Sequence, residues 1–256
     1  MKLGRLPRRH DPRVPHMRAL LGGTPLPAPP SSIDWTIGMP ASLGVYANDS
    51  LGDCTCAAVY HAIQVWTFNA AGTMDSEPDS EAIALYSDAC GYVAGQPNTD
   101  QGGDEQSVLT YLLNSGAPVT GGVQKIAAFV EVDVKDIENI KSTIADFALA
   151  YIGFDVPNFL MNNLTAPNSV WDVDQSADNG IAGGHAVIVA GYDEIGLRVI
   201  SWGNHYTMTW AFWNQFVDEA YAIADVEWIK ATGNAPCGLS LAVLEAQMQE
   251  LKSAGA

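Results

Sequence analysis

Pro118 separates two stretches of the chain whose apolar residues recur with different periods, and this change limits the fold more than any other feature. Before it, Ala57, Ala58, Ile63, Val65, Trp66 and Phe68 crowd residues 54–71 densely enough for a buried helix, with Asp53 at its cap and Gly72 at its end. Further helices are predicted over 79–89 and 104–114, the latter ended by Gly116 and Pro118. After Pro118, residues 129–134 alternate like a strand, 136–147 read as a helix and 150–156 as a strand. Residues 185–192 and 197–202 form a hairpin around 193–196. A helix over 210–219, a strand over 221–229 and an amphipathic helix over 239–251 complete the reading. Helices first and strands second predict an α+β fold, not a doubly wound sheet.

The opening 30 residues stand apart. Seven prolines between Pro7 and Pro30 forbid continuous helix, leaving an extended arm with at most a helical turn over 17–21. Charge is divided in the same place: residues 1–18 carry +5 and the remaining 238 carry −22. So acidic a body repels nucleic acid and anionic membrane, and neither is expected as a partner. The basic arm needs an acidic surface. Docking on a neighbouring subunit is the favoured expectation; the alternatives are rest on its own body and a pro-segment role. The expected organisation is an arm over 1–30, a helical half over 31–118, a strand-rich half over 119–235 and a C-terminal helix over 236–256. With 48% hydrophobic and 16% charged residues the chain reads as soluble and globular. No apolar stretch follows the basic opening, so no secretory signal is expected and the location is read as cytoplasmic or virion-associated.

Two residues carry the candidate chemistry. Cys54 opens the first helix, where the positive end of the helix dipole favours thiolate, the reactive form. His185 follows Gly183 and Gly184 at the start of an apolar strand. Such a cysteine and histidine are the two parts of a thiol acyl-transfer enzyme, although each alone is more commonly a core residue. Cys54, Cys56 and His61 lack the second ligand pair of a zinc site, so neither metal nor cofactor is expected. Cys90 and Cys237 read as buried thiols, and His10, His16 and His205 as structural or surface residues.

Five segments in order then resemble the papain-like cysteine peptidases, in the divergent form found in bacteria and their phages. They are Ile33–Asp34–Trp35; Asn48 through Gly52–Asp53–Cys54; Gly102–Gly103 followed by 106–113 and Gly116; Gly184–His185–Ala186–Val187 with Gly191–Tyr192; and Ser201–Trp202–Gly203. The resemblance implies a papain-like fold with the cleft between its halves, and peptide or isopeptide hydrolysis through a Cys54 acyl-enzyme. It makes His185 the base, Asn48 the oxyanion donor, Gly102 and Gly103 the substrate-backbone contacts, and Trp202 the cleft residue shielding the histidine. It also puts Ile200 where the family keeps the asparagine that orients the histidine, with Asn204 a weak substitute. Thr55 replaces a tryptophan, and Leu51 and Asp100 stand where a disulfide pair is usual. These departures keep two alternatives open: an interaction or virion-associated protein on this fold with little activity, and an amidase or transglutaminase.

Overall fold

The structure, a computed structural model, describes residues 2–12, 14–17, 28–166, 168–174, 176, 180–226 and 228–229. The expected C-terminal helix over 239–251, Cys237 and most of the 17–21 turn lie outside these residues.

Three helices form where the apolar spacing predicts them: α1 over Cys54–Ala71, α2 over Asp79–Cys90 and α3 over Glu105–Asn114. Gly72 and Gly91 close the first two in the left-handed conformation that glycine adopts without strain. The Asp104 side chain caps α3 by accepting from the Ser107 N–H. Asp53 stands at the cap position of α1 without making a side-chain cap bond.

Among the described residues eight strands form one sheet. They are β1 (Ile33–Asp34), β4 (Ile126–Glu131), β5 (Ala150–Pro157), β6 (Val170–Trp171), β7 (Ile181–Tyr192), β8 (Gly196–Ser201), β9 (Asn204–Thr209) and β10 (Val217–Asp225). The order is β4-β10-β5-β7-β8-β9-β6, with β1 also paired to β7 and only the β6–β9 pair parallel. A small hairpin joins β2 (Ala117–Val119) to β3 (Gly122–Gln124). Helices α1 to α3 pack on one face, burying Ile188, Ile200, Tyr151 and Tyr221 among their side chains. Against the other face lie α4 (Ile137–Phe147) and α5 (Trp210–Phe216), over Val187, Val189, Ile152 and Ala222. Alternate residues of β4, β5, β7 and β10 therefore serve two different cores, which is what period-2 geometry requires of a strand buried on both faces.

Helix α5 is shorter than predicted and β10 begins earlier. Val217 to Ala220 pair with β5 as far as Phe154, so tertiary pairing outweighs the helical pattern of that segment. Strand β8 does not run on past Trp202 either. Trp202 and Gly203 both take positive φ, +44° and +71°, in a tight turn that sends β9 back along β8 with Ser201 opposite Asn204.

Candidate active site

Cys54 is the first residue of α1, and that helix packs across β7, the strand carrying His185. The backbone N–H of Ala186, next in chain to His185, faces the Cys54 sulfur. Both side chains are buried, each with about 1% of its surface exposed. Burial pushes the Cys54 thiol up to about 12, against the opposing effect of the Ala186 and Gly4 N–H groups. Burial likewise lowers His185 to about 3, assisted by the charges of His61 and Arg5. The pair therefore stands as neutral thiol and neutral imidazole at pH 7. This departs from the thiolate expected at a helix start, because loss of water outweighs the helix dipole.

The His185 ring is held from two sides. Trp202 stacks flat on it, with centroids 4.0 Å apart and planes within 8°, and Nε2 hydrogen-bonds to Ser201 Oγ at 2.7 Å. Nδ1 is buried with no hydrogen-bond partner. Trp202 is itself buried, so it covers the histidine and does not line an open groove. Ser201 was missed in the sequence because the family motif aligns Ile200 with the histidine. Strand parity decides otherwise. Ile200 pairs with Ile188 and points into the helix-side core, whereas Ser201, one residue on, points to the opposite face, which His185 shares. Asn204 is excluded by the turn: its side-chain amide donates to the Trp202 carbonyl.

Asn48 lies buried beside the cleft with its amide Nδ2 donating to the carbonyls of Leu51 at 3.0 Å and Lys2 at 3.3 Å. The partner Lys2 belongs to the arm. Residues 2–6 run extended through the cleft: Lys2 N–H donates to the Asn48 carbonyl, Arg5 N–H to the Gly184 carbonyl and Leu6 N–H to the Gly103 carbonyl, while Gly103 N–H donates to the Gly4 carbonyl. Residues 2–6 thus find their contacts within their own chain, as in the expectation that the arm rests on its own body. Beyond the cleft, Arg8 pairs with Glu131, and Pro15 accepts from the Glu131 N–H. Val14 and Met17 are buried in the two cores, pinning the far end of the segment.

Glycine is required where the arm and cleft touch. A Cβ on Gly102, which has φ +83°, would lie 2.1 Å from the Gly4 carbonyl oxygen, and one on Gly4 would lie 1.9 Å from that of Gly52. At Gly103 the obstacle is different: a Cβ would meet Cys90 Sγ at 2.5 Å and Thr55 Oγ1 at 2.9 Å. Thr55 thus fills space beneath the glycine pair, and Gly103 is needed for packing as well as for backbone access.

Asp100 stands at one of the two positions without a disulfide, and it closes the cleft wall by hydrogen bonding. Its Oδ1 accepts from the Gly52 N–H at 3.0 Å and the Tyr86 hydroxyl at 2.8 Å, while Lys2 of the arm pairs with the other oxygen. Tyr86 in turn accepts from the Gly102 N–H. His61 is occupied elsewhere, bonded through Nε2 to the Gly44 carbonyl, and the described residues contain no group of three or more His, Cys, Asp or Glu side chains arranged to hold a metal.

Asp53 is fully buried beside Cys54, with neither carboxylate oxygen hydrogen-bonded, and burial pushes its carboxyl up to about 8. Between pH 4 and 8 the folded chain keeps a proton there that the unfolded chain releases, so this group's contribution to stability falls as pH rises through that window. Asp53→Asn is therefore expected to melt above the native chain at pH 8.5, with the gap closing toward pH 4. Thermal melts at half-unit pH intervals measure this; a gap independent of pH refutes it.

The architecture is that of the papain-like cysteine proteases. No protein-family model and no curated protein matches the chain. Among solved structures it is similar to xylellain, a cysteine protease from Xylella fastidiosa, at 19% identity over 88% of this chain and 96% of that one, with a TM-score of 0.64. It is also similar to proCathepsin B S9 from Trypanosoma congolense, at 13% identity over 87% and 86% and a TM-score of 0.59. The Carica candamarcensis cysteine protease CMS1MS2, solved in complex with E-64, matches at 16% identity over 76% of this chain and 98% of that one, with a TM-score of 0.56. Among the described residues no helix is long and apolar enough to cross a membrane.

Proposed function

We propose that the chain is a thiol peptidase held latent by its own arm. The observation that carries the reading is residues 2–6: an extended peptide already lies in the cleft, hydrogen-bonded to Gly103 and Gly184 and passing the Cys54 sulfur. A cleft that binds backbone in this way accepts peptides by their main chain. With Nε2–H donating to Ser201 Oγ, Nδ1 of His185 is left as the proton acceptor. In the open cleft His185 takes the thiol proton, and Cys54 attacks a substrate carbonyl to form a tetrahedral oxyanion facing the Asn48 amide. Collapse breaks the C–N bond, His185 returns the proton to the leaving amine, and water then hydrolyses the thioester to free acid and thiol. Isopeptides enter by the same chemistry, and the bacterial or phage type rests on the segment from Asn48 to Thr55.

The test is labelling of the chain, with its arm unseated, by an epoxide inhibitor such as E-64, followed by intact mass. A single adduct on Cys54, lost in Cys54→Ala and in His185→Ala, is expected; no adduct under any condition refutes the reading. The neutral, buried Cys54–His185 pair favours the second reading, an interaction protein with little activity, and that reading predicts no adduct.

Ser201 gives a further expected result. Ser201→Ala removes the only hydrogen bond that the described residues make to the His185 ring and should lower kcat about 10-fold with KM unchanged, with partial recovery in Ser201→Asn. An effect of this size is smaller than the loss of the buried third member of a serine triad, roughly 10⁴, because the Trp202 stacking contact still holds the ring. A KM effect alone would contradict it.

A further inference from the structure

The side chain of Arg5 fills a pocket beside the cleft with only 1% of its surface exposed. Its Nε donates to Glu105 Oε2 at 2.8 Å, and Nη2 donates to Asp218 Oδ1 at 2.6 Å and Glu219 Oε2 at 2.7 Å, with Asp155 3.9 Å from Nη1. These carboxylates come from the first turn of α3, from β10 and from β5. The strands also supply the space: a Cβ on Gly153 would lie 2.1 Å from Arg5 Nε and 2.6 Å from Glu105 Oε1. Three carboxylate acceptors spread around a flat group match the fork of a guanidinium, whereas an ammonium presents a single point of charge.

The pocket gathers four carboxyl groups around one guanidinium, and burial with Glu219 alongside pushes the Glu105 carboxyl well above its usual range. Glu105 and Glu219 are almost wholly buried, and Glu105 Oε1 has no hydrogen-bond partner although it faces the space beside the guanidinium. Buried carboxylates without a cation are costly. If the arm leaves, a cation of the same shape regains these hydrogen bonds, whereas a neutral replacement leaves the buried carboxyls to take up protons. The backbone contacts also set where that group lies: Gly103 bonds to Gly4 and Leu6 on either side of Arg5, and the Gly4 N–H faces the Cys54 sulfur.

We infer that Glu105, Asp218 and Glu219, with Gly153 as the open wall, form a specificity pocket, and that the substrates are peptides or proteins with an arginine one residue from the residue held against Cys54. The inference rests on the peptidase reading for its word substrate, but the pocket's preference for arginine is separable from catalysis.

The experiment uses the full-length chain carrying Arg5→Ala, which keeps the arm but empties the pocket. Ethylguanidinium is expected to raise its melting temperature and ethylammonium to leave it nearly unchanged; if the variant folds poorly, recovery of folded protein on adding ethylguanidinium gives the same information. Fluorescent peptides differing only in arginine or citrulline are then compared for binding to the Cys54→Ala, Gly4→Ala, Arg5→Ala chain and for cleavage by the Gly4→Ala, Arg5→Ala chain, in both of which the arm is lifted. Arginine should be preferred by at least about 10²-fold, because its loss leaves buried polar groups unpaired, and Glu219→Gln should reduce the preference. Arginine-selective binding without any cleavage supports the pocket and refutes the peptidase reading. Cleavage of both peptides at equal rates supports the peptidase reading and overturns the pocket. Equal binding together with no response to ethylguanidinium also overturns it.

Discussion

Gly4→Ala in the full-length chain is expected to raise the rate of Cys54 alkylation at pH 7 by about 10²–10³, because alkylation follows thiolate fraction and access. The substitution adds one methyl group, and it has no room: the new Cβ would lie 1.9 Å from the Gly52 carbonyl oxygen, which is backbone and cannot swing aside. The arm must therefore lift. Water then reaches a thiol that burial has pushed up to about 12 and an imidazole that burial has lowered to about 3. Once hydrated, Cys54 regains the benefit of the α1 N-terminus and both groups move back toward an ionised pair. Iodoacetamide labelling followed by intact mass, with Cys54→Ala to subtract Cys56, Cys90 and Cys237, measures the change. A rate equal to that of the native chain would show that the arm does not control access.

Asn48→Ala, made in that same opened background, should lower kcat by roughly 10²–10³ with little change in KM. The amide is a fixed donor that already holds a peptide carbonyl, that of Lys2, at 3.3 Å, and it is kept in place by the Leu51 carbonyl at 3.0 Å. A donor oriented before the reaction acts most strongly on the charge that develops at the tetrahedral oxygen. Steady-state kinetics on a fluorogenic peptide separates the possibilities. A rise in KM with kcat intact would make Asn48 a ground-state binding residue.

The helices were legible because their apolar spacing, terminal glycines and Asp104 cap are local signals. Cys54 and His185 were legible because glycines and a helix start surround them. Ser201 was hidden by a single-residue question: motif alignment offers Ile200, and only the β7–β8 register assigns the two residues to opposite faces. The one available signal was Gly203, which marks a turn straight after Trp202 and argues against a strand running on to Asn204. The seat of Arg5 was out of reach for another reason. Glu105, Asp155, Asp218 and Glu219 are scattered over more than a hundred residues and meet only when β10 and β5 pair beside α3. Counting charge showed that the arm needs an acidic surface, but no local pattern showed that it lies in the same chain.

The wall closed by Asp100 carries a consequence for where such a cleft can operate. A disulfide there would open in the reducing conditions that keep a cysteine such as Cys54 as a thiol, so one setting would protect the proposed nucleophile and loosen the groove. Carboxylate bonds to Gly52 and Tyr86 are indifferent to electrons. Reductant can then regenerate Cys54 without touching the scaffold, and because Lys2 pairs with the same Asp100, loosening is governed by protons and salt instead of thiols.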